Sequence, residues 1–163
     1  MFFIHNFIKI LTAGVFFMLI CTMATAQITE KDGVYYNKDN QPYTGTYIEY
    51  YTTGTKKIEI SLVNGRKDGK VLLYHENGNL NEIRSYKNNL MDGNWQTFNA
   101  KNIKIAEANY KNNLKHGAWL VWDDNGILLY QMYYCEGKKC GKWLIWNTDG
   151  TLKSEKDYGD EKP

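Results

Sequence analysis

From residue 45 onward, apolar and polar residues alternate in short runs. In one run Ile58, Ile60 and Leu62 interleave with Lys57, Glu59 and Ser61; in another Leu128, Tyr130, Met132 and Tyr134 stand two apart. A period of two with one polar side predicts strands that are half-buried. The runs are short and bounded by Asn77-Gly78, Asn125-Gly126, Asn64-Gly65 and similar pairs. Such pairs tolerate the positive φ of a tight hairpin turn, so each predicts a chain reversal. No run after residue 27 has helical spacing.

The pattern recurs every 24 residues. Gly45, Gly69, Gly93, Gly117 and Gly141 mark position one of five copies. Position ten is Gly54, Gly78, Asn102, Gly126 and Gly150. Position three is Tyr47, Val71, Trp95, Trp119 and Trp143; position six is Tyr50, Tyr74, Phe98, Trp122 and Trp146. Position eighteen is Leu62, Tyr86, Tyr110, Tyr134 and Tyr158. A fixed period of this length predicts stacked units rather than one closed core. Each unit reads as two strands, so the expected fold is all-β. It is an antiparallel meander of about ten or eleven strands in a single twisted layer. Strands ~4.8 Å apart give ~9.6 Å per repeat and roughly 45 Å for the array. The glycine at position one is expected to allow a tight bend or to let a neighbouring ring lie flat on the backbone.

The expected boundaries are residues 27–44 for a linker and capping half-repeat, 45–158 for the five repeats and 159–163 for a charged tail. Val34-Tyr35-Tyr36 reads as a strand of the half-repeat, and Pro42 suits an outer position because it cannot donate to a ladder. Lys153, Glu155, Lys156 and Asp157 load the last strand with charge, which discourages edge pairing.

Composition adds a second boundary. All 13 Tyr and all 5 Trp lie after Ala26, whereas five of the 6 Phe lie within the first 17 residues. Lys9, an apolar run from Ile10 to Cys21, and Ala24-Thr25-Ala26 together read as a secretory signal at residues 1–26, cleaved before Gln27. An uncut anchor is an alternative. Lipidation at Cys21 is another, disfavoured because Ile20 precedes it rather than a small residue. Export to the periplasm, envelope or exterior is therefore expected. Formal net charge is only +2, which argues against a duplex nucleic-acid partner.

The segment from Tyr86 through Asn88-Asn89, Gly93 and Trp95 to Phe98 resembles the unit of the MORN repeat variant. The segments Tyr110–Trp122 and Tyr134–Trp146 resemble it as well. Pro42-Tyr43-Thr44-Gly45 followed by Tyr50-Tyr51 and Gly54 is similar to the start of YwqK-family antitoxins. The resemblance spans about residues 33–158. It implies a strand-repeat fold and a role as scaffold, dimerisation module, phospholipid binder or antitoxin. Leu62, Val71 and Asn102 depart from the repeat pattern, and imply weaker packing in the first three repeats than in the last two.

Candidate chemistry is sparse. Cys135 and Cys140 flank Glu136-Gly137-Lys138-Lys139. A four-residue loop would set the cysteines opposite each other, ready for a disulfide. A two-residue turn at Glu136-Gly137 would pair Cys135 with Lys138 and stagger them. In an exported chain the bridge is favoured. His116 and Cys140 share a repeat position, but ~9.6 Å between equivalent positions excludes shared metal coordination. His75, beside Glu76, is expected to be solvated. No metal, cofactor or catalytic set is expected.

The turns at positions seven to eleven sum to a net negative charge, those at nineteen to twenty-four to a net positive one. The basic edge would hold Arg66, Lys67, Lys87, Lys111, Lys115, Lys138 and Lys139. These cations and the rings of Trp95, Trp119 and Trp143 are the candidate binding groups. The expected function is an exported, non-enzymatic repeat protein that binds a protein partner or itself. Alternatives are an envelope binder of anionic lipid or glycan, and an antitoxin-type protein.

Overall fold

The computed structural model describes residues 28–159; the signal-peptide and cleavage-site readings, and residues 160–163 of the tail, lie outside them. The described chain is strand and turn throughout. A two-stranded hairpin, β1 (Thr29–Lys31) and β2 (Val34–Tyr36), precedes one 12-stranded antiparallel sheet. Its strands are β3 (Gly45–Tyr50), β4 (Lys56–Val63), β5 (Arg66–Tyr74), β6 (Leu80–Lys87), β7 (Leu90–Met91), β8 (Gly93–Phe98) and β9 (Lys104–Lys111). They continue as β10 (Leu114–Lys115), β11 (Gly117–Trp122), β12 (Leu128–Cys135), β13 (Lys138–Trp146) and β14 (Leu152–Asp157). Sequence neighbours are sheet neighbours from β3 to β14, with β7 and β10 as short leading pieces of β8 and β11. The sheet is an open meander, and β3 and β14 are its edges.

Where β7 stops short of β8, and β10 short of β11, the intact strands β5 and β13 show the cause. Ile60 pairs with Val71 and Leu62 with Lys67, so Ser61 alone faces Asp68, Gly69 and Lys70. The extra residues form a bulge at position one, and bulges increase bend and twist. Gly69 and Gly93 hold φ of +106° and +98° there. A Cβ on either would lie 3.2 Å from the Cβ of Ser61 or Ser85 on the neighbouring strand. Both the backbone angle and the close approach therefore select glycine. At position ten, Asn102 takes φ +64°, the left-handed state its glycine counterparts use, so this departure costs the hairpin little.

A one-layer sheet buries little. The buried apolar side chains among the described residues are Tyr35, Ile60, Leu62, Val71 and Cys140. Four of them form a single cluster under β2, with Tyr43, Tyr47, Ile58, Leu73 and Tyr86 packed around it. This corrects the expectation that Leu62 and Val71 weaken the first repeats. With Ile60, their aliphatic side chains are the most deeply buried of the described residues in the sheet, at 2% and 3% exposure. The half-repeat folds over them. Tyr35 N–H donates to Gly65 O at 2.8 Å, Gly65 N–H to Tyr43 O at 2.7 Å, and Tyr43 N–H to Tyr35 O at 2.9 Å. The far end has no such cover, and all six residues of β14 are exposed.

Leu62→Ala should therefore lower unfolding free energy by about 2–5 kcal/mol, as for other buried leucines. Leu152→Ala, on the exposed edge strand, should stay within about 0.5 kcal/mol of the parent. Urea denaturation of both variants checks the asymmetry; comparable losses at the two sites would contradict it.

Candidate functional site

Positions three and eighteen lie on one face of the sheet. Their rings interdigitate across every repeat boundary from the second repeat on. Tyr86, Trp95, Tyr110, Trp119, Tyr134, Trp143 and Tyr158 form one unbroken ladder. Successive ring centroids are 5.6, 4.8, 5.2, 5.2, 5.3 and 5.0 Å apart, at tilts of 48–63°. Tilted pairs at this distance suit the ring quadrupoles and contribute about 0.5–1.5 kcal/mol each beyond their burial. Tyr35 of the half-repeat adds a matching pair with Tyr47 at 5.5 Å. Burial holds the Tyr110 hydroxyl above its usual range, and the neighbouring Tyr86 adds to this.

The three candidate tryptophans are tied into this ladder. The Trp95 indole N–H donates to Ser85 O at 3.1 Å, Trp119 to Asn109 O at 3.0 Å, and Trp143 to Tyr133 O at 3.0 Å. The accepting carbonyls lie opposite the bulge. Those of Ser85 and Asn109 also accept the backbone N–H of Asp92 at 3.1 Å and His116 at 2.9 Å. The bulge and the indole are thus two halves of one arrangement.

The basic edge divides in two. Lys67, Lys115 and Lys139 turn onto the ladder face. Lys115 Nζ sits 4.4 Å from the Trp119 centroid and 4.7 Å from Tyr134; Lys139 sits 4.4 Å from Trp143 and 5.2 Å from Tyr158. Lys67 lies 5.4 Å over Tyr86, and Arg84 5.2 Å over Trp95. Burial is the largest influence on Arg84 and works against its charge, but the 2.6 Å bond to Glu82, the Glu82 charge and Tyr86 together outweigh it and its pKa is raised. The candidate lysines at this position and the candidate tryptophans thus form one surface of cations laid on rings. Arg66, Lys87, Lys111 and Lys138 remain exposed on the turn edge itself.

That edge is built from stacked turns. Asn89 N–H donates to Lys67 O at 2.8 Å, Asn113 to Met91 O at 2.9 Å, and Gly137 to Lys115 O at 2.8 Å. Asn89 and Asn113 return the contact by accepting Lys67 N–H and Met91 N–H, each at 2.7 Å. Asp68 and Asp92 accept the N–H of Asn88 and Asn112 from the following turn, each at 3.2 Å. His116 holds the corresponding place one repeat on, and its Nδ1 is buried without a hydrogen-bond partner. An open groove of about 530 Å³ lies beside it, lined by Lys87, Asn88, Leu90, Asp92, Lys111 and Asn112 among others.

Cys135 and Cys140 are joined by a disulfide with a Cα–Cα distance of 5.8 Å. The turn beneath it is the two-residue form. Cys135 pairs with Lys138, and Cys140 with Tyr133, so the bridge runs diagonally between β12 and β13. The four-residue loop is thus not needed: residues two apart along adjacent strands share a face and come within reach. His75 is also not simply solvated; its Nε2 lies 3.1 Å from Phe98 O, joining two turns of the opposite edge. There the carboxylate of Asp123 accepts the N–H of Ile127 at 2.8 Å and of Asn125 at 2.9 Å. Asn99 does the same one repeat earlier for Ile103 and Lys101, at 3.0 Å each. These bonds, that from Ile127 first, hold the Asp123 carboxyl below the usual carboxylate range.

Three segments, residues 43–64, 67–88 and 115–136, match the MORN repeat variant family. Each begins at position twenty-three and ends at position twenty, so the matched unit runs from one stacked turn to the next. The match is to the repeat, and no antitoxin family accompanies it. No curated protein matches the chain.

A depressed carboxyl pKa stabilises the fold above the ordinary aspartate range, and that contribution is lost as pH falls through the folded-state value. Asp123→Asn should keep the turn, as Asn99 does, while flattening the acid limb of stability. Thermal melts of parent and variant between neutral pH and about pH 3 test this; parallel acid limbs would refute it.

Proposed function

We propose that the chain is an exported, non-enzymatic repeat protein that holds a protein partner, or a second copy of itself, against its stacked-turn edge. The observation that carries this reading is the contrast between the ladder face and the edge. On the ladder face, rings stack on rings and the cations over them are already engaged. On the edge, Val63, Leu90 and Leu114 stand 44%, 39% and 49% exposed beside exposed cations. Apolar side chains set among charges on a rigid frame are the composition of a binding surface. The Cys135–Cys140 bridge supports an oxidising compartment, in keeping with a leader at residues 1–26.

A second reading is favoured by the same row of cations. Arg66, Lys87, Lys111 and Lys138 suit an anionic lipid headgroup layer or an acidic glycan. An antitoxin role rests on the resemblance of the chain's opening alone.

A photo-cross-linking residue placed at Leu114 of the mature chain separates these readings. The expected product in cell-envelope preparations is an adduct with one defined protein or with a second copy, lost when Leu90 is changed to Ser. Adducts with neither would refute the protein-binding reading. Cross-links to lipid or glycan alone would replace it with the second.

A further inference from the structure

Three contacts close every repeat boundary from the second repeat on. Position fifteen pairs with position four of the next repeat, as Ile83 with Gln96, Glu107 with Leu120 and Gln131 with Leu144. The carbonyl at position seventeen accepts the next indole N–H, as those of Ser85, Asn109 and Tyr133 do. The ring at position eighteen stacks on that indole, as Tyr86, Tyr110 and Tyr134 do at 5.6, 5.2 and 5.3 Å.

The outer edge of β14 carries the first half of all three contacts. Glu155, Asp157 and Tyr158 hold positions fifteen, seventeen and eighteen. Tyr158 N–H donates inward to Gly141 O at 3.0 Å, so alternation turns the backbone groups of Glu155 and Asp157 outward. No donor among the described residues reaches Asp157 O. Tyr158 has one ring neighbour, Trp143, where Tyr110 and Tyr134 each have two. Lys156 holds the place from which Arg84 covers Trp95 of the next repeat; with no such indole beside it, it lies over Tyr158 at 4.9 Å.

We propose that β14 is a docking edge for an antiparallel strand of a different protein, one that carries Gly-Lys-Trp or Gly-Arg-Trp. Strand addition of this kind draws affinity from main-chain bonds and specificity from alternate side chains. The repeat boundaries inside the chain supply the specificity. Trp brings the N–H for Asp157 O and the ring for Tyr158 and Lys156. Glycine two places before it is needed because the next strand approaches position seventeen closely; a Cβ on Gly93 would lie 3.2 Å from that of Ser85. The cation between them follows from a departure at Asp157. Ser85 and Asn109 donate from their side chains to the carbonyls of Asn94 and Ala118, at position two of the next repeat, at 2.6 and 2.7 Å. A carboxylate has no proton to give there, and a basic side chain at position two supplies the opposite charge instead.

A second copy does not meet these requirements. Its own β14, Leu152–Asp157, holds no aromatic residue. Its other edge strand, β3, has Gly45 and Tyr47 at the right places, but Tyr35 stands to Tyr47 at 5.5 Å and 50° as Tyr86 stands to Trp95 at 5.6 Å and 48°. The half-repeat thus fills the seat that Tyr158 would take. One end of the ladder is closed and the other is open. The mixed charges of β14 discourage indiscriminate pairing and leave the edge to a complementary strand.

The test is NMR of the isotope-labelled mature chain titrated with the peptide Lys-Gly-Lys-Trp-Gln-Thr-Phe-Lys. The expected result is saturable shifts confined to β14, Tyr158 and the adjoining part of β13. Phe in place of the peptide Trp keeps a ring without the indole N–H, and should weaken binding about three- to tenfold, the size of one hydrogen bond. Moving Trp one place along turns it to the other face and should weaken binding at least about tenfold. On the chain, Glu155→Pro removes an outward N–H and should also weaken binding at least about tenfold. Glu155→Gln keeps that N–H and should stay within about twofold, since the exposed Lys142 ion pair it breaks is worth little. An unchanged circular dichroism spectrum shows that both variants fold. Equal affinity for the two Trp placements would overturn the proposal, as would no binding. Shifts confined to Val63, Leu90 and Leu114 would overturn it and leave the stacked-turn reading standing. Concentration-dependent shifts of β14 without peptide would overturn the choice of partner in favour of a second copy.

Discussion

The bulge opposite position seventeen is the constraint from which the rest of the sheet follows. A single antiparallel layer has no second layer to bury its apolar face. The bulge bends the chain at the start of a repeat, and the carbonyl opposite it, from the repeat before, accepts both a backbone N–H and an indole N–H. The indole bond sets the ring at a tilt to the two tyrosines beside it, and the ladder propagates. Glycine at position one is the only residue that meets both the backbone angle and the 3.2 Å approach of the neighbouring side chain at Gly69 and Gly93. The repeat is conserved within the chain because its packing is transmitted from one unit to the next.

Packing of this kind distributes stability unevenly. In the last repeats the cohesive contacts are ring on ring and cation on ring, each half-exposed and individually modest. In the first repeats they are aliphatic burial under a folded-back half-repeat. The chain thus changes from one stabilising interaction to another along its length. Tyr86, which touches both the aliphatic cluster and Trp95, is the residue where the two meet.

The fold was legible in the sequence because its determinants are local and periodic. Glycine spacing, Asn-Gly turns and two-residue alternation each report backbone geometry within a few residues. The site was less legible, because the charge of a turn does not report which face each residue takes. Lys115 pairs with Tyr110 and Lys139 with Tyr134, so both lie on the ladder face, whereas Lys111 and Lys138 fall on the other. The burial of Leu62 and Val71 could not be read from the repeats either, since Tyr35 reaches them from outside the array. The diagonal bridge between Cys135 and Cys140 depended on a register that turn composition left open. His116 left one signal in the sequence: it breaks a run of Asp at its repeat position.

The diagonal disulfide has a mechanical consequence. Tension applied beyond β14 peels β14 and then β13 one hydrogen-bonded pair at a time, with the Lys142–Glu155 ion pair and the ring contacts of Tyr158 as the added hold on this exposed edge. At Cys140 the pull passes through sulfur to Cys135 and bypasses the turn between them. The turn between β12 and β13 is thereby spared the load, and further unzipping must break into β12 while the half-repeat at the other end stays seated. The ribbon has a soft end and an anchored one, with a clutch between them.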